Sequence, residues 1–392
     1  MTTETPAPPL MLPITYAIRN LFRDPGRLFQ TVGGSALVVL LVIAATALNH
    51  GMEQLLQTSG SNKNVILVGT GSEESVERSE VHLDAEAAAA TAVPGLAHPL
   101  GNTAASGEIV YMAPLRLSGG KEEPSLLRGV TEKALLVHNR VRILEGSFPR
   151  PGQVMVGRLL HRRFGVSAQD LSPGKRLSFG NDEFTVSGVF EATGTVLESE
   201  AWFDRNDLAS LTQRDTLSAI YLRLDDGEFD DAHVFTLQRN DLELSAIRED
   251  HYYDKLGTFY APIRAMIWIT TALVAAGALF GGLNTLYAAF ASRIREMATL
   301  QCIGYTRRSL LLSFIQESLL ATLSGSLLAF IFSLMLLDGL NIPFSLGTFT
   351  VELTPQIILT GLITGIALGT LGTLPPALRC LQPSLPVALR SS

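Results

Sequence analysis

The 392-residue sequence has little charge and almost no cysteine. Charged side chains make up 17% of the chain, whereas soluble domains usually carry about a quarter. This deficit, together with a hydrophobic content of 47%, indicates membrane-spanning segments. The two cysteines, Cys302 and Cys380, lie outside the long polar segment at residues 50–260. No disulfide is therefore expected in that segment, which must be stabilised by its own hydrophobic core.

Sequence motifs of common enzyme classes are also missing. The chain has no GxxxxGK[ST] phosphate-binding loop, no GxGxxG dinucleotide motif, and no GxSxG, HExxH or CxxC motif. The seven histidines show neither HxH nor HxxxH spacing, so no metal site is expected. We predict that the chain is not an enzyme and has no catalytic, cofactor-binding or metal-binding residues of its own.

Four apolar runs are long enough to cross a membrane, which takes roughly 20 residues. They lie at residues 28–49, 261–291, 309–337 and 353–375, and Gln316 and Glu317 interrupt the third. The "ATA" at residues 45–47 also fits a signal-peptide cleavage site. The first run is longer than the apolar region of a signal peptide, so an uncleaved span is favoured.

Arginines in the short connecting segments predict the orientation. Nine arginines lie in residues 1–27, 292–308 and 376–392, and the loop at residues 338–352 has no basic residue. Because short loops rich in Lys and Arg stay in the cytoplasm, both termini and residues 292–308 are predicted to be cytoplasmic. The sequence thus predicts a membrane protein with four transmembrane α-helices and one large domain between the first and second, on the periplasmic or extracellular side.

The segment at residues 50–260 has the composition of a water-soluble domain, with 31 acidic and 20 basic residues. Alternating and β-branched runs predict strands at "NVILVG", "GEIVYMAPLRL" and "SAIYLRL", and a hairpin around the "GND" turn. Helices are predicted at "HLDAEAAAATAV" and after "ESEAWFD", where Asp204 or Asn206 is a candidate N-cap. This mixture indicates an α+β domain.

The N-terminal segment predicts a short amphipathic helix on the inner membrane surface. Arg19 and Arg23 lie opposite a stripe of apolar side chains, and the "DPG" at residues 24–26 ends the helix. The stripe consists of Ile14, Ala17, Ile18, Leu21 and Phe22.

The charged stretch "SRIREMATLQCIGYTRRSLLLSFIQE" predicts a short cytoplasmic helix, a tight turn and the start of the third span. Gly304 suits the left-handed residue after a helix, and Thr306 suits the N-cap of the next helix. A short stiff helix of this kind can dock onto a soluble partner and pass motion to the attached spans. Glu317 is expected to pair with an arginine near the inner leaflet or with backbone, a proton pathway being the alternative.

This stretch resembles the signature of MacB/FtsX-like ABC transporter permeases. The opening "AIRNLFRDPGRLFQTVGG", the ending "PPALRCLQPSLPVALR" and the run from "ILEGSF" to "TVSGVF" are also similar to segments of that family. The last of these resembles the periplasmic core domain. The matching signature positions are Arg295, Glu296, Leu300, Gly304, Arg307, Arg308, Glu317 and Gly325. Positions that depart from the family pattern are Met297, Ala298, Gln301, Cys302, Tyr305 and Gln382.

The resemblance implies a permease subunit of the bacterial inner membrane, with its large domain on the periplasmic side. Such a subunit works with a separate cytoplasmic ABC ATPase, which binds the ATP. Residues 292–308 would be the coupling helix that docks on the ATPase. ATP-driven closure would then reach the periplasmic domain by mechanotransmission and export a substrate. The expected contact residues are Arg293, Arg295, Glu296, Leu300, Ile303, Gly304, Tyr305, Arg307 and Arg308.

Several partners follow from the same resemblance. They are a second copy or a related permease subunit, the lipid bilayer, a periplasmic adaptor (membrane fusion protein) and an outer-membrane channel; no nucleic acid is expected. A lipoprotein-releasing permease and a non-transporting regulator of a periplasmic enzyme are the alternative functions. Small residues favour close helix packing, either at a dimer seam or inside one protomer. These residues are Gly33, Gly34, Gly277, Gly281 and Gly282.

Overall fold

The computed structural model describes residues 12–117, 120, 122–225, 228–344 and 347–390, which form two compact units. The helical unit comprises Met1–Asn49, Pro262–Leu340 and Val351–Ser392. The α+β unit comprises His50–Ala261 and Asn341–Thr350. The segment between the third and fourth apolar runs therefore belongs to the same compact unit as the long polar segment.

The secondary structure is numbered in chain order. The helices are α1 (Ile14–Arg23), α2 (Pro25–Ser59), α3 (Asp84–Ala92), α4 (Ala134–Val137), α5 (Leu160–Phe164), α6 (Arg205–Thr212), α7 (Phe229–Gln238), α8 (Glu249–Phe259), α9 (Ala261–Ala291), α10 (Ile294–Cys302), α11 (Arg307–Leu336), α12 (Pro355–Leu381) and α13 (Leu385–Arg390). The strands are β1 (Asn64–Gly69), β2 (Ala105–Leu117), β3 (Glu122–Val130), β4 (Arg142–Gly146), β5 (Gln153–Gly157), β6 (Arg176–Phe179), β7 (Asp182–Glu191), β8 (Ala201–Asp204), β9 (Ala219–Arg223), β10 (Leu244–Arg248), β11 (Asn341–Pro343) and β12 (Thr348–Thr350).

Among the described residues, four helices are long and apolar enough to cross a membrane, namely α2, α9, α11 and α12. Glycines let α12 approach its neighbours closely. A Cβ atom added at Gly361 would lie 2.8 Å from Cγ1 of Ile43 on α2, and one added at Gly369 would lie 2.5 Å from Oγ1 of Thr322 on α11. Small residues therefore bring these helices together, as is usual where apolar surface alone gives no driving force between helices.

Two helices extend beyond the ends that the sequence predicts. The α2 helix continues past residue 49 to Ser59, because no proline or capping motif interrupts it there and the ring of Phe349 packs against Gly51. The α12 helix continues through Pro375 and Pro376 to Leu381, beyond the predicted end at residue 375. Proline is tolerated inside apolar helices of this kind when neighbouring groups compensate for the lost backbone hydrogen bonds.

One large sheet forms the centre of the α+β unit. Its strand order is β10-β1-β9-β2-β3-β8-β5-β7-β4, and β6 pairs with both β2 and β7. The pairs β3–β8 and β5–β7 are parallel, whereas the other pairs of this sheet are antiparallel. One face of the sheet packs against α3, α5, α6 and α7, and the other packs against α4 and α8.

Most of the predicted elements of this unit are confirmed. The three strands expected from β-branched runs are β1, β2 and β9, and the "GND" hairpin is β6–β7. Asp204 caps α6, since its Oδ1 accepts a hydrogen bond from the backbone nitrogen of Asn206 at 2.9 Å. The β11–β12 hairpin was expected only as a loop. It packs against α5, where Arg163 donates a hydrogen bond to the carbonyl oxygen of Phe344.

Candidate functional site

The predicted coupling helix corresponds to α10, whose C-terminal end is closed by a glycine turn. Gly304 has a φ of +113°, on the side of φ/ψ space that favours glycine. The backbone nitrogen of Gly304 donates to the carbonyl oxygen of Gln301 at 3.1 Å, and that of Tyr305 donates to Leu300 at 3.2 Å. These two bonds form a Schellman motif, which satisfies the last carbonyl groups of the helix.

The next helix starts immediately after this turn. Thr306 has extended backbone angles, and its Oγ1 accepts a hydrogen bond from the backbone nitrogen of Ser309 at 3.2 Å. Thr306 is thus the N-cap of α11, as the sequence predicts. Because both helix ends are capped by hydrogen bonds, the angle between α10 and α11 is well defined.

The inner face of α10 anchors it to the helical unit. Met297 and Ala298 are buried, and Met297 belongs to a hydrophobic cluster that includes Phe290 and Phe314. Leu300 and Tyr305 are half-buried against the same cluster. A force on α10 is therefore borne by packed side chains of α9, α11 and α12 rather than by a loose loop.

The outer face of α10 is exposed and carries positive charge. Ile303, the residue that directly follows α10, has a side chain that is 66% exposed and belongs to this outer face. The remaining residues of this outer face are Arg295, Thr299, Cys302, Gly304, Thr306, Arg307 and Arg308. An exposed isoleucine surrounded by guanidinium groups suits a protein surface that offers an apolar pocket with an acidic rim.

Glu317 is the centre of a buried ion cluster. Its side chain is 5% exposed. Arg293 Nη1 lies 3.0 Å from Glu317 Oε2 and 3.3 Å from Oε1, and Arg27 Nη2 donates to Oε1. We refer to Arg27, Arg293 and Glu317 as the helix cluster. It joins the first turn of α2, the residue before α10 and the third turn of α11.

The helix cluster contains two guanidinium groups for one carboxylate. Removing one partner from a buried pair is costly, because a charge is left without compensation. Glu317 is therefore the group on which the cluster depends, whereas either arginine leaves a balanced pair when it is removed. This geometry is that of a structural joint between three helices.

The Glu296 side chain contacts α1 while remaining 37% exposed. Its Oε1 accepts a hydrogen bond from the hydroxyl of Tyr16 at 2.9 Å, and its Oε2 accepts one from Arg23 Nη1 at 3.4 Å. The side of α10 that carries Glu296 is thus attached to the N-terminal amphipathic helix.

The structure separates the nine predicted contact residues into two groups. Those on the outer face of α10, and so accessible to a soluble partner, are Arg295, Ile303, Gly304, Arg307 and Arg308. Those that make the internal contacts described above are Arg293, Glu296, Leu300 and Tyr305. Spacing on a single helix could not separate these groups, because the surfaces that cover α10 come from elsewhere in the chain.

The expected pairing of Glu317 with arginine is confirmed. Sequence reasoning did not identify Arg27 as one of its partners, nor Tyr16 as a partner of Glu296. Arg27 is the last charged residue before the first apolar run, and Glu317 is the acidic residue inside the third. An arginine that begins one span is a natural partner for an isolated glutamate near the cytoplasmic end of another. That signal was present in the sequence, whereas the Tyr16–Glu296 bond needs the tertiary structure.

A second buried ion cluster lies in the α+β unit. Arg128 binds Glu200 through Nε at 2.6 Å and Nη2 at 2.7 Å, and it binds Glu108 through Nη1 at 2.7 Å. His138 Nε2 lies 2.9 Å from Glu108 Oε1, and Trp202 Nε1 donates to Glu200 at 2.8 Å. We refer to Glu108, Arg128, His138 and Glu200 as the sheet cluster.

The charges of the sheet cluster compensate one another. Burial alone would raise the pKa of Glu108, but the charges of His138 and Arg128 outweigh it and lower that pKa to about 2. Burial alone would lower the pKa of His138, but the Glu108 carboxylate outweighs it and raises that pKa. Two carboxylates thus face one arginine and a histidine that favours its charged form.

Known families and structures match both units. A family model described as FtsX-like permease C-terminal matches residues 268–385, and one described as MacB-like periplasmic core domain matches residues 28–238. The periplasmic region of MacB from Actinobacillus actinomycetemcomitans is 12% identical, over 51% of this chain and 95% of that chain, with a TM-score of 0.38. The extracellular domain of the noncanonic ABC-type transporter YknZ from Gram-positive bacteria is 14% identical, over 47% of this chain and 99% of that chain, with a TM-score of 0.36. No curated protein sequence matches the chain.

Proposed function

Because the chain belongs to the family of FtsX-like permeases with a MacB-like periplasmic core domain, we propose that it couples a separate ABC ATPase to export of a substrate. Members of this family are transmembrane components that act with such an ATPase. In this proposal, α10 is the coupling helix, its outer face binds the ATPase, and its movement reaches the α+β unit in the periplasm. A periplasmic adaptor and an outer-membrane channel would carry the substrate onward.

The outer face of α10 is the observation that carries this proposal. Ile303 and the guanidinium groups of Arg295, Arg307 and Arg308 are exposed on a helix whose other side is firmly packed. Ile303 is 66% exposed beside these arginines, so a partner that covers it gains apolar contact as well as charge pairing. The positive charge also suits rapid association with an acidic surface.

The helix cluster supports the transmission of movement. Arg293 immediately precedes α10, and through Glu317 it is linked to Arg27 at the start of α2. The α2 helix is continuous from Pro25 to Ser59, and its last residues belong to the α+β unit. A displacement of α10 can thus be passed to a helix that enters the α+β unit without a break.

Membership of residues 341–350 in the α+β unit supports the proposed orientation. These residues connect α11 to α12, and the segment around them has no basic residue. The hairpin and residues 50–261 would thus lie on the same side of the membrane, opposite the arginine-rich α10.

The surface of α9 supports assembly with a second copy or a related permease subunit. In the most apolar 18-residue part of α9, none of the residues is buried by the rest of the described chain. A Cβ added at Gly277, Gly281 or Gly282 would meet no described atom within 4 Å, so packing inside the protomer does not require glycine there. A cavity of about 260 Å³ between α2, α9, α11 and α12 is lined by Gly281, Gly282 and Gly34. A helix of a second subunit would use this surface.

Co-purification from membranes of the source organism tests the proposal. We expect the full-length protein to recover an ABC ATPase, and we expect Ile303→Asp or Arg307→Glu with Arg308→Glu to lose it. Leu237→Asp is the matched control for Ile303→Asp, because Leu237 is 67% exposed in the α+β unit. Recovery of the ATPase by both α10 variants at the wild-type level would contradict the proposed docking surface.

A further inference from the structure

The N-terminal helix α1 has one face packed on the protein and another, called its free face below, that no described residue covers. Ala17, Asn20 and Leu21 are buried, and α1 packs against α11. The opposite side exposes three large apolar side chains spaced four residues apart. They are Ile14 at 55%, Ile18 at 40% and Phe22 at 68% exposure.

A basic side chain flanks this apolar stripe. Residues i and i+4 share a helix face, so Ile14, Ile18 and Phe22 form one line along α1. Arg19 is exposed and lies between that line and the side of α1 that carries Arg23 and Tyr16. An apolar line with an adjacent arginine is the surface by which a helix lies in a membrane interface that contains anionic headgroups.

Continuity with the first span places this surface beside a bilayer. Only Asp24 separates α1 from α2, which is one of the four helices able to cross a membrane. Phe29, in the second turn of α2, is also exposed. The free face of α1 and the beginning of α2 are thus available to the same leaflet.

We infer that α1 binds anionic phospholipids of the cytoplasmic leaflet and that this binding sets the position of α10. The connection is Glu296, which accepts hydrogen bonds from Tyr16 and Arg23 of α1. When α1 is bound to lipid at the membrane surface, the hydrogen bond from Tyr16 to Glu296 fixes the first turn of α10 and so fixes the direction in which the outer face of α10 points. When α1 leaves the membrane surface, α10 loses this restraint. The inference concerns the helical unit alone and does not require an ATPase.

Hydrogen exchange on the full chain tests the inference. The protein is placed in nanodiscs of phosphatidylcholine alone or of phosphatidylcholine with phosphatidylglycerol, and exchange is measured at residues 294–302. We expect slower exchange of α10 in the anionic nanodiscs, by about five-fold, which is the factor that one basic side chain contributes at an anionic surface. High salt should remove the difference, because the Debye length is only about 3 Å at 1 M.

Two variants separate the binding of lipid by α1 from the effect of that binding on α10. Arg19→Gln should reduce the lipid dependence in both α1 and α10. Tyr16→Phe should leave the lipid dependence of α1 in place and remove that of α10. In a Glu296→Ala background, Tyr16→Phe should have a much smaller effect, because the acceptor of its hydrogen bond is already absent.

Matched controls come from the α+β unit. Arg142→Gln and Tyr111→Phe remove the same chemical groups at exposed positions that α1 does not contact. Equal exchange of α10 in both lipid compositions would overturn the inference. So would a lipid dependence of α10 that survives Tyr16→Phe. Failure of the wild-type protein to recover an ABC ATPase, with neither of these exchange results, would instead contradict the proposed function.

Discussion

Two buried ion clusters of this protein, the sheet cluster and the helix cluster, use the same residue types for different tasks. In the sheet cluster, Arg128 on β3 is hydrogen-bonded to Glu108 on the neighbouring strand β2 and to Glu200, which directly precedes the neighbouring strand β8. In the helix cluster, Glu317 is bonded to Arg27 and Arg293, which come from separate helices. The first is balanced and confined to one sheet, whereas the second has an excess of positive charge and joins three elements.

This difference indicates which cluster is rigid and which can act as a joint. All four members of the sheet cluster are buried, and the rings of Trp202 and Tyr221 pack against His138. Its arrangement can change only if the domain core opens. The helix cluster has one acceptor for two donors, so one arginine can shift while the other pair remains. Substitutions that break each cluster should thus differ in size and in what they affect.

Arg128→Met should give the largest loss of stability. It leaves the carboxylates of Glu108 and Glu200 buried without their arginine, which costs about 3–5 kcal/mol. Hydrogen exchange at β2, β3 and β8 of the full-length protein measures the loss. Arg142→Met, an exposed arginine on β4, is the control and should change stability by less than about 0.5 kcal/mol. Equal effects of the two variants would show that the sheet cluster does not stabilise the domain.

Glu317→Gln should have the next largest effect, and it should affect the helical unit. Arg27 and Arg293 lose their counter-charge, but the amide oxygen of glutamine still accepts one hydrogen bond, so we expect a loss of about 2–3 kcal/mol. Arg293→Met leaves the Arg27–Glu317 pair and should cost less than about 1 kcal/mol. Thermal unfolding in detergent compares the two. An Arg293→Met loss as large as that of Glu317→Gln would contradict the assigned role of the carboxylate.

The stability of the α+β unit should depend on pH through Glu108 and His138. The pKa of His138 is raised in the folded protein, so its contribution is present below pH 6.5 and is lost as the pH rises through the folded pKa. The pKa of Glu108 is lowered to about 2 from a usual value of 4.5, so its contribution is present above pH 4.5 and is lost as the pH falls towards 2. Protection of β2 and β3, expressed relative to the exchange of an unfolded chain at the same pH, should therefore be highest between these limits.

His138→Gln provides the control for this pH profile. It should remove the loss of protection on the alkaline side and leave much of the loss on the acidic side. If the His138→Gln protein still lost protection as the pH rises, a group other than His138 would be responsible for that loss.

Gly304→Ala should have the smallest effect on stability and a selective effect on α10. A φ of +113° is unfavourable for a residue with a Cβ, at a cost of about 1 kcal/mol. Gly180→Ala, at a φ of +60° in the α+β unit, should cost a similar amount. Only Gly304→Ala should weaken ATPase recovery, because only it alters the end of α10. The same weakening by Gly180→Ala would indicate a general effect of stability.

Local chemistry in the sequence predicted much of the fold. Apolar run length identified the four long helices, and the turn residues Gly304 and Thr306 identified the boundary between α10 and α11. Alternating runs identified β1, β2, β9 and the β6–β7 hairpin. These features depend on neighbouring residues, so periodicity and capping rules apply to them directly.

Other features depend on residues far apart in the chain. The polar residues 50–59 continue α2, and Pro375 and Pro376 lie inside α12. The sheet cluster unites Glu108 with Arg128 and Glu200, and no motif spacing relates these positions. For the same reason, the sequence could not distinguish Arg293 and Glu296, which face inward, from Arg295 and Ile303.

Photo-crosslinking from Ile303 in membranes of the source organism tests the central claim most directly. A photoreactive amino acid replaces Ile303 on the outer face of α10, or Met297 on its buried face as the control. We expect a cross-link to an ABC ATPase from position 303 and a much weaker one from position 297. A cross-link from position 303 only to lipid, or to a protein without a nucleotide-binding loop, would contradict the assignment of α10 as the coupling helix.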